Sequence, residues 1–365
     1  MAKILMYIDH HYGGGAQRVM SNLANYFASD GIEVVFVVDV DDERKIRELY
    51  PEAVEYPLLS SIKIINLDKN ENDKLIASNS KRIVGLRRAV REERPDVVLS
   101  FLGRINIRML IATFGLKVKK CVSVRSAPEH EYGSTWLARF FTNIIFLLSD
   151  KYVFQTEDAR KWFFKNIQKR SKIIANPVSD IFFETKYEGG TNDIVTVGRL
   201  DNAKNHALLI DAFNRISDDY SELKLKIFGT GPLKDELQKK IDNMGLSERV
   251  FLCGPTNDIP SVLQKARLFI LSSDYEGMPN ALMEAMAVGV PCISTDCPIG
   301  GPRALFGEKL KKYLVKCNDG DAMAETIISM LECSAQTFVS DSTKAIAMSF
   351  KADKIYEAWH SYLFD

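Results

Sequence analysis

Two carboxylates eight residues apart, Glu276 and Glu284, flank the run Gly277-Met278-Pro279-Asn280-Ala281-Leu282-Met283. Glu284 is set among Leu282, Ala285, Met286, Ala287 and Val288, and a carboxylate in such surroundings needs a partner. A ribose diol is a suitable one, because a carboxylate accepts hydrogen bonds from both vicinal hydroxyls. Pro279 suits a first helical turn, so the spacing predicts a helix from near Pro279, with Glu276 in the loop before it. A dipole carboxylate followed by an exposed glutamate would explain the pair without a ligand. A second candidate is Gly198-Arg199-Leu200-Asp201-Asn202-Ala203-Lys204-Asn205, between an apolar run and an amphipathic one. Arg199 offers a planar fork and Lys204 a point charge, a combination that suits a diphosphate; two solvated loop cations are the plain alternative. A third is Gly13-Gly14-Gly15, where backbone could approach a ligand at a helix N-terminus. It matches part of the dinucleotide fingerprint, and Asp39 would suit a ribose hydroxyl, but Arg18 stands where the last glycine belongs. A tight strand-to-helix turn accounts for the same glycines.

Parallel strands alternating with helices would place these loops. Ile4–Ile8, Val34–Val38, Val97–Phe101, Val122–Val124 and Tyr152–Phe154 read as buried parallel strands between helical stretches. The alternation pauses over residues 176–193, where Asn176-Pro177 and Gly189-Gly190-Thr191-Asn192 are turn signals. It resumes with Ile194–Val197, Leu223–Phe228, Val250–Leu252, Leu268–Leu271 and Cys292–Ser294. This predicts an α/β protein of two doubly wound units with domains at 1–177 and 178–350, each binding ligands beyond its strands' carboxyl ends. Two such units facing each other would make a cleft. The aromatic segment from 351 to 365 would cap the second domain or cross back onto the first.

Composition narrows the class. The chain has 365 residues, 46% hydrophobic and 26% charged, which fits a soluble two-domain protein. Lys plus Arg and Asp plus Glu both number 48, which argues against a dedicated nucleic-acid binder. The balance hides an asymmetry: residues 1–178 hold 28 cations against 21 acids, and the remainder holds 20 against 27. An anionic partner for the first half is one reading and compositional drift the other. The six scattered cysteines, without a C-x-x-C pair, read as reduced thiols of a cytosolic protein. The N-terminus does not read as a secretory signal, and the longest apolar stretch, Leu137–Leu148, is too short to span a bilayer.

Taken in order, six elements carry a resemblance over nearly the full chain. They are Gly14-Gly15-Ala16-Gln17-Arg18, Asn176-Pro177-Val178, Val197-Gly198-Arg199-Leu200 with Lys204, Phe228-Gly229-Thr230-Gly231-Pro232, Glu276 with Glu284, and Gly300-Gly301-Pro302-Arg303. The chain resembles the family 4 retaining glycosyltransferases of GT-B fold, in particular bacterial members that extend lipid-linked oligosaccharides or surface polysaccharides. The resemblance implies that Arg199 and Lys204 neutralise a donor diphosphate, that Glu276 contacts donor-sugar hydroxyls and that Glu284 grips the nucleotide ribose. It implies backbone contacts to the donor from Gly198, Gly229, Asn280, Ala281 and Leu282, with Gly14 and Gly15 near donor phosphate and acceptor. Many members carry a histidine after the fifth strand of the first domain. Here Arg125 takes that place and His130 follows, so Arg125, His130 and Arg18 are the candidates for the acceptor or donor-sugar pocket.

The implied reaction moves a sugar from a nucleotide sugar, UDP-hexose or UDP-N-acetylhexosamine, to a hydroxyl of a glycan or polyprenyl-diphosphate-linked glycan. It retains the anomeric configuration. Positioning and electrostatics would do most of the catalysis, with no metal and no other cofactor. Asp39-Val40-Asp41 has D-x-D spacing but belongs to the first domain. Basic amphipathic segments (Lys81, Arg82, Arg87, Arg88, Arg91 and Arg94, then Arg104, Arg108, Lys117, Lys119 and Lys120) suggest contact with anionic lipid at the inner face of the cell membrane. A solvated basic face is the alternative. The competing functions are a nucleotide-sugar epimerase of the same architecture, an NAD-dependent oxidoreductase, and a non-catalytic nucleotide-sugar binder.

Overall fold

The computed structural model describes residues 2–40, 55–67, 75–332 and 336–365. The chain divides into two compact units, one of Met1–Ala175 with Ile355–Asp365 and one of Asn176–Lys354. Asp41 and Cys333 lie outside the described residues.

The first unit is built on a seven-stranded sheet, all parallel. Its strands are β1 (Lys3–Ile8), β2 (Glu33–Val38), β3 (Lys63–Asn66), β4 (Val97–Phe101), β5 (Lys119–Val124), β6 (Lys151–Phe154) and β7 (Ser171–Ile173). Their order is β3-β2-β1-β4-β5-β6-β7. The β-branched runs are buried on both faces, as a parallel sheet between helical layers requires. Right-handed crossovers put the helices Leu75–Glu93, Gly103–Ala112 and Trp136–Phe146 on one face, because β3→β4→β5→β6 all step the same way. The helix Gly15–Ser29 belongs to the opposite face, where the C-terminal helix Ala352–Phe364 joins it. Tyr356 stacks on Tyr26 at 4.8 Å, Phe364 meets Phe27 edge-on at 5.7 Å, and Trp359 is wholly buried.

The second unit holds six parallel strands: β8 (Asp193–Val197), β9 (Lys224–Phe228), β10 (Val250–Gly254), β11 (Leu268–Leu271), β12 (Cys292–Thr295) and β13 (Leu314–Val315). Their order is β10-β9-β8-β11-β12-β13. Direction reverses between β1 and β4 in the first sheet and between β8 and β11 in the second. The loops leaving those strands therefore splay apart and leave room for a ligand. Both sheets have the expected doubly wound form. The sequence reading omits β3, β7 and β13, which are two to four residues long.

Candidate functional site

In the second unit the loop after β8 carries Gly198–Asn205 and the loop after β11 carries Ser272–Pro279, one on each side of the switch point. Two close backbone approaches fix the first loop. Gly198 donates its N–H to Phe228 O at 2.9 Å, and Leu200 donates to Thr230 O at 2.8 Å. Gly229 has φ 139°, and a Cβ there would lie 2.0 Å from Gly198 O. No side chain fits, so this glycine sets the path of the neighbouring cationic loop. Gly301 does the same for the second loop, since a Cβ there would meet Gly277 O at 1.9 Å.

Lys204 forms an ion pair with Glu276, which also accepts from Ser273 Oγ at 2.7 Å. Ser272 Oγ donates to Lys204 O at 2.8 Å, so the two loops are tied at side chain and backbone alike. Arg199 is well exposed and pairs with Asp201 at 2.5 Å. Both cations of the predicted diphosphate site are thus held by carboxylates of the same unit, at the carboxyl ends of the strands.

The helix Asn280–Val288 begins one residue after Pro279, whose ψ of 108° is extended. The eight-residue spacing of Glu276 and Glu284 is therefore not a helix-face relation, because Glu276 lies in the loop. The first-turn amides of Asn280, Ala281 and Leu282 have no partner within the helix by its geometry. No side chain of Pro279 caps them. Asn280 Oδ1 accepts from Asn176 Nδ2 at 2.6 Å, and the same amide donates to Met278 O at 2.9 Å. Asn176, in sequence a turn signal and one of the six elements of the resemblance, thus holds the helix start in place. Glu284 is 6% exposed and lies four residues beyond Asn280. At that spacing it shares the face of Asn280, with its Cα–Cβ bond tilted toward the helix N-terminus.

His206, which the sequence reading passes over, opens the helix His206–Ile216 beneath the cationic loop and is 3% exposed. Burial and the nearby Lys204 push its pKa down to about 4. Its ring lies near the Gly198 and Arg199 backbone without a hydrogen bond of good geometry. The loop ahead of it is closed by Asn205, in the left-handed region at φ 43°, which accepts from Leu208 N–H and donates to Asp274 Oδ1 at 2.9 Å.

The first unit places its candidates separately. Gly14 (φ 78°) is the N-cap residue and Gly15 the first residue of the helix Gly15–Ser29, and a Cβ on Gly14 would meet Gln17 Oε1 at 2.4 Å. Arg18 lies in that helix, near Tyr356. Arg125 is 7% exposed, its guanidinium 4.6 Å from the Phe101 ring centroid and 5.9 Å from that of Trp359. Burial pulls its pKa down to about 9. This is a packing position beneath the C-terminal helix. His130 is exposed on the short helix Pro128–Tyr132. Asp39 is buried against Tyr7, which donates at 2.6 Å, and against Arg108 and Arg82, so its carboxylate is engaged by cations of its own unit.

At the β1/β4 switch point a cavity of about 330 Å³ is lined by Asp9, Asp39, Arg104, Arg108 and Glu131 among others. Burial pushes Glu131 up to about 8. Sequence reading stops one residue short of it, at His130. Of the basic residues expected on a lipid-facing surface, Arg82 and Arg108 turn inward to Asp39. Arg87 donates to Ala112 O and Phe114 O, and Lys119 donates to Leu363 O. Lys81, Arg88, Arg91, Arg94, Arg104 and Lys117 remain exposed.

Two family models match in tandem: "Glycosyltransferase Family 4" over residues 13–180 and "Glycosyl transferases group 1" over 178–345. The chain is 27% identical to a Campylobacter jejuni alpha-1,4-N-acetyl-D-galactosaminyltransferase, whose name specifies a GalNAc-extended diNAcBac-PP-undecaprenol. That match covers 98% of this chain and 97% of the relative. It is 30% identical to a second C. jejuni enzyme, a 4-alpha-N-acetylgalactosaminyltransferase named for a diphospho-undecaprenol substrate, over 65% of this chain and 67% of the relative. Among solved structures, Anabaena HepE in complex with UDP and glucose superposes with TM-score 0.80 at 16% identity, covering 99% of each chain. Staphylococcus aureus TarM, in a complex that includes UDP, superposes with TM-score 0.77 at 14% identity over the whole of both chains. These likenesses give the fold, which is GT-B.

Proposed function

The chain belongs to the family 4 glycosyltransferases, and on that premise we propose that it transfers a hexose or N-acetylhexosamine from a UDP-sugar to a lipid-linked glycan, with retention at the anomeric carbon. The observation that carries this reading is the arrangement of Lys204, Glu276, Arg199, the first turn of the helix Asn280–Val288 and buried Glu284 around one switch point. Lys204 and Arg199 meet the diphosphate, and the amides of Asn280–Leu282 add the positive end of a helix. Glu276, released from Lys204 when phosphate arrives, turns to sugar hydroxyls. Glu284 accepts from the ribose diol. UDP is favoured among nucleotides because the solved HepE and TarM complexes contain it. An undecaprenyl-diphosphate type of acceptor is favoured by the names of the C. jejuni relatives.

In the step itself, the bond from the anomeric carbon to the diphosphate oxygen breaks and the bond to the acceptor oxygen forms on the same face. The acceptor proton passes to the leaving diphosphate. Lys204, Arg199 and the helix amides stabilise the charge that builds there, so the reaction asks for neither a protein base nor a metal. The enzyme works on the cytoplasmic face of a membrane, to which the basic first unit is drawn.

Incubation with a panel of UDP-sugars and polyprenyl-diphosphate glycans, in excess chelator, tests the reading. Release of UDP with a lengthened acceptor, whose new anomeric signal keeps the donor's configuration, is the expected result. An inverted linkage, an epimerised donor, or turnover only with added metal would overturn the corresponding part.

A further inference from the structure

The helix Trp136–Phe146 buries Phe146 in the core of the first unit but leaves most of its large apolar residues in solvent. Its buried side includes two polar residues, Thr142 and Asn143, alongside Phe146. Asn143 accepts from Phe164 N–H at 2.6 Å and donates to Arg139 O at 2.8 Å. Its outer side presents Trp136, 74% exposed, and Phe141, 60% exposed, with Leu137, Phe140, Ile144 and then Leu147 all well exposed. At 100° per residue these six fall within an arc of about 140°, so they form one stripe. The exposure continues on neighbouring helices of the same layer, at Ile111 in Gly103–Ala112, at Phe114 just beyond it and at Val84 in Leu75–Glu93. Soluble proteins rarely leave such a patch to water.

The charge around the stripe selects its occupant. The helices Gly103–Ala112 and Trp136–Phe146 contain no acid, and of their three arginines Arg104 and Arg139 are exposed, while Arg108 is buried against Asp39. Lys165 is exposed beside Phe164, whose ring lies 6.2 Å from Phe140. Of the acids nearby, Glu157 and Asp158 on the helix Glu157–Lys161 are paired to Arg160 and Lys161, and Glu129 on the adjoining helix Pro128–Tyr132 is exposed, against the exposed cations Arg104, Arg139 and Lys165. An aromatic stripe with a cationic surround fits the interface of an anionic bilayer. At eleven residues, or roughly 16 Å, the helix is too short to cross the membrane and long enough to lie in its surface.

We infer that the Trp136–Leu147 stripe enters the headgroup region of an anionic membrane and is the principal apolar anchor of the first unit. This rests on the membrane reading above and not on the donor site. The basic residues of the other helices then attract the surface without entering it.

Trp136 reports on this directly, since the other two tryptophans, Trp162 and Trp359, are buried. The full chain is mixed with phosphatidylcholine vesicles with and without an equal share of phosphatidylglycerol. The expected result is sedimentation with the anionic vesicles, a blue shift of Trp136 emission and its quenching by brominated acyl chains. Joint replacement Phe140→Ser, Phe141→Ser and Ile144→Ser lowers vesicle affinity by at least ~10²-fold, because three large apolar side chains no longer leave water. Unchanged affinity of that variant, or an emission indifferent to vesicles, overturns the inference. So does a dimer abolished by the same replacements in a protein that ignores vesicles, which would give the stripe to a second copy. The UDP-induced rise in melting temperature is measured on the same samples. Its absence with vesicle binding intact would count against the donor reading alone.

Discussion

Lys204 and Glu276 neutralise each other in the loop to which the proposed function assigns the donor diphosphate, so on that proposal each holds the other's place until donor arrives. Replacing Lys204 with Ala removes a charge donor to the leaving group and strands Glu276 without its cation. The expected loss is ~10²–10³ in kcat/KM for transfer, read with saturating acceptor. Two buried titratable groups give pH effects of opposite sign. His206 has a folded pKa near 4 against an unfolded value near 6.5, so the unfolded chain binds more protons between them. Stability contributed by the neutral ring is complete above pH ~6.5 and is lost as pH falls toward 4, by ~3 kcal/mol at most. Glu131, pushed up to about 8, is protonated when folded at pH values where the unfolded chain is not, so it costs stability as pH rises from its ordinary range toward 8. Urea unfolding as a function of pH should show His206→Asn removing a rise in stability between pH 4 and 6.5, and Glu131→Gln removing a fall between pH 4.5 and 8. Arg199, Lys204 and Glu276 could be picked out by residue type and by the strand ends they follow. His206, Glu131 and Arg125 could not be so read, because their character comes from tertiary burial. Arg125 in particular is a loop cation in sequence, and a packed side chain under Trp359 in the fold.

At the scale of elements, the loops rather than the helices carry the geometry. Gly229 and Gly198 touch backbone to backbone, which no larger residue allows. Gly229→Ala should therefore cost several kcal/mol or displace the cationic loop, with loss of UDP binding. Gly245 is the control: it has φ 68° and open space around it, so Ala there pays only the left-handed backbone cost of ~1–2 kcal/mol. Thermal unfolding with and without UDP separates the two. The long β-branched strands are legible because burial on both faces leaves a continuous apolar run. The edge strands β3, β7 and β13 are short and partly exposed, and their pairing depends on a neighbour far along the chain. Around the E-x7-E pair the proline signal is enough: the helix starts at Asn280, next to Pro279, with Glu276 in the loop before it as the sequence predicts.

For the molecule as a whole, the C-terminal segment Ile355–Asp365 belongs to the first unit although the whole second unit precedes it in the chain. Trp359 is its wedge, buried against Phe101 with Arg125 alongside. Trp359→Ala should destabilise the first unit by ~3–5 kcal/mol, measured by urea unfolding, while leaving UDP affinity of the second unit unchanged. Sequence left open whether this segment caps one unit or crosses to the other, because its aromatic stripe would fit either. In sequence the exposed stripe of Trp136–Leu147 is only part of the apolar run Leu137–Leu148, too short to span a bilayer. Its buried side is set by Phe146 in the core and by Asn143, which bonds Phe164 N–H and Arg139 O, and neither tie is visible in the local pattern.

The central claim is that the second unit grips a nucleoside diphosphate through Glu284 and the cationic loop. Calorimetric titration of UDP into the wild type and Glu284→Ala, in excess chelator, with GDP, ADP and NAD as comparisons, tests it most directly. Binding of UDP to the wild type and a loss of at least ~10-fold in the variant is the predicted result, as removing a hydrogen-bonded charged group costs about 1.5–3 kcal/mol. Equal UDP affinity in both proteins, or binding of NAD and of no nucleoside diphosphate, would contradict it.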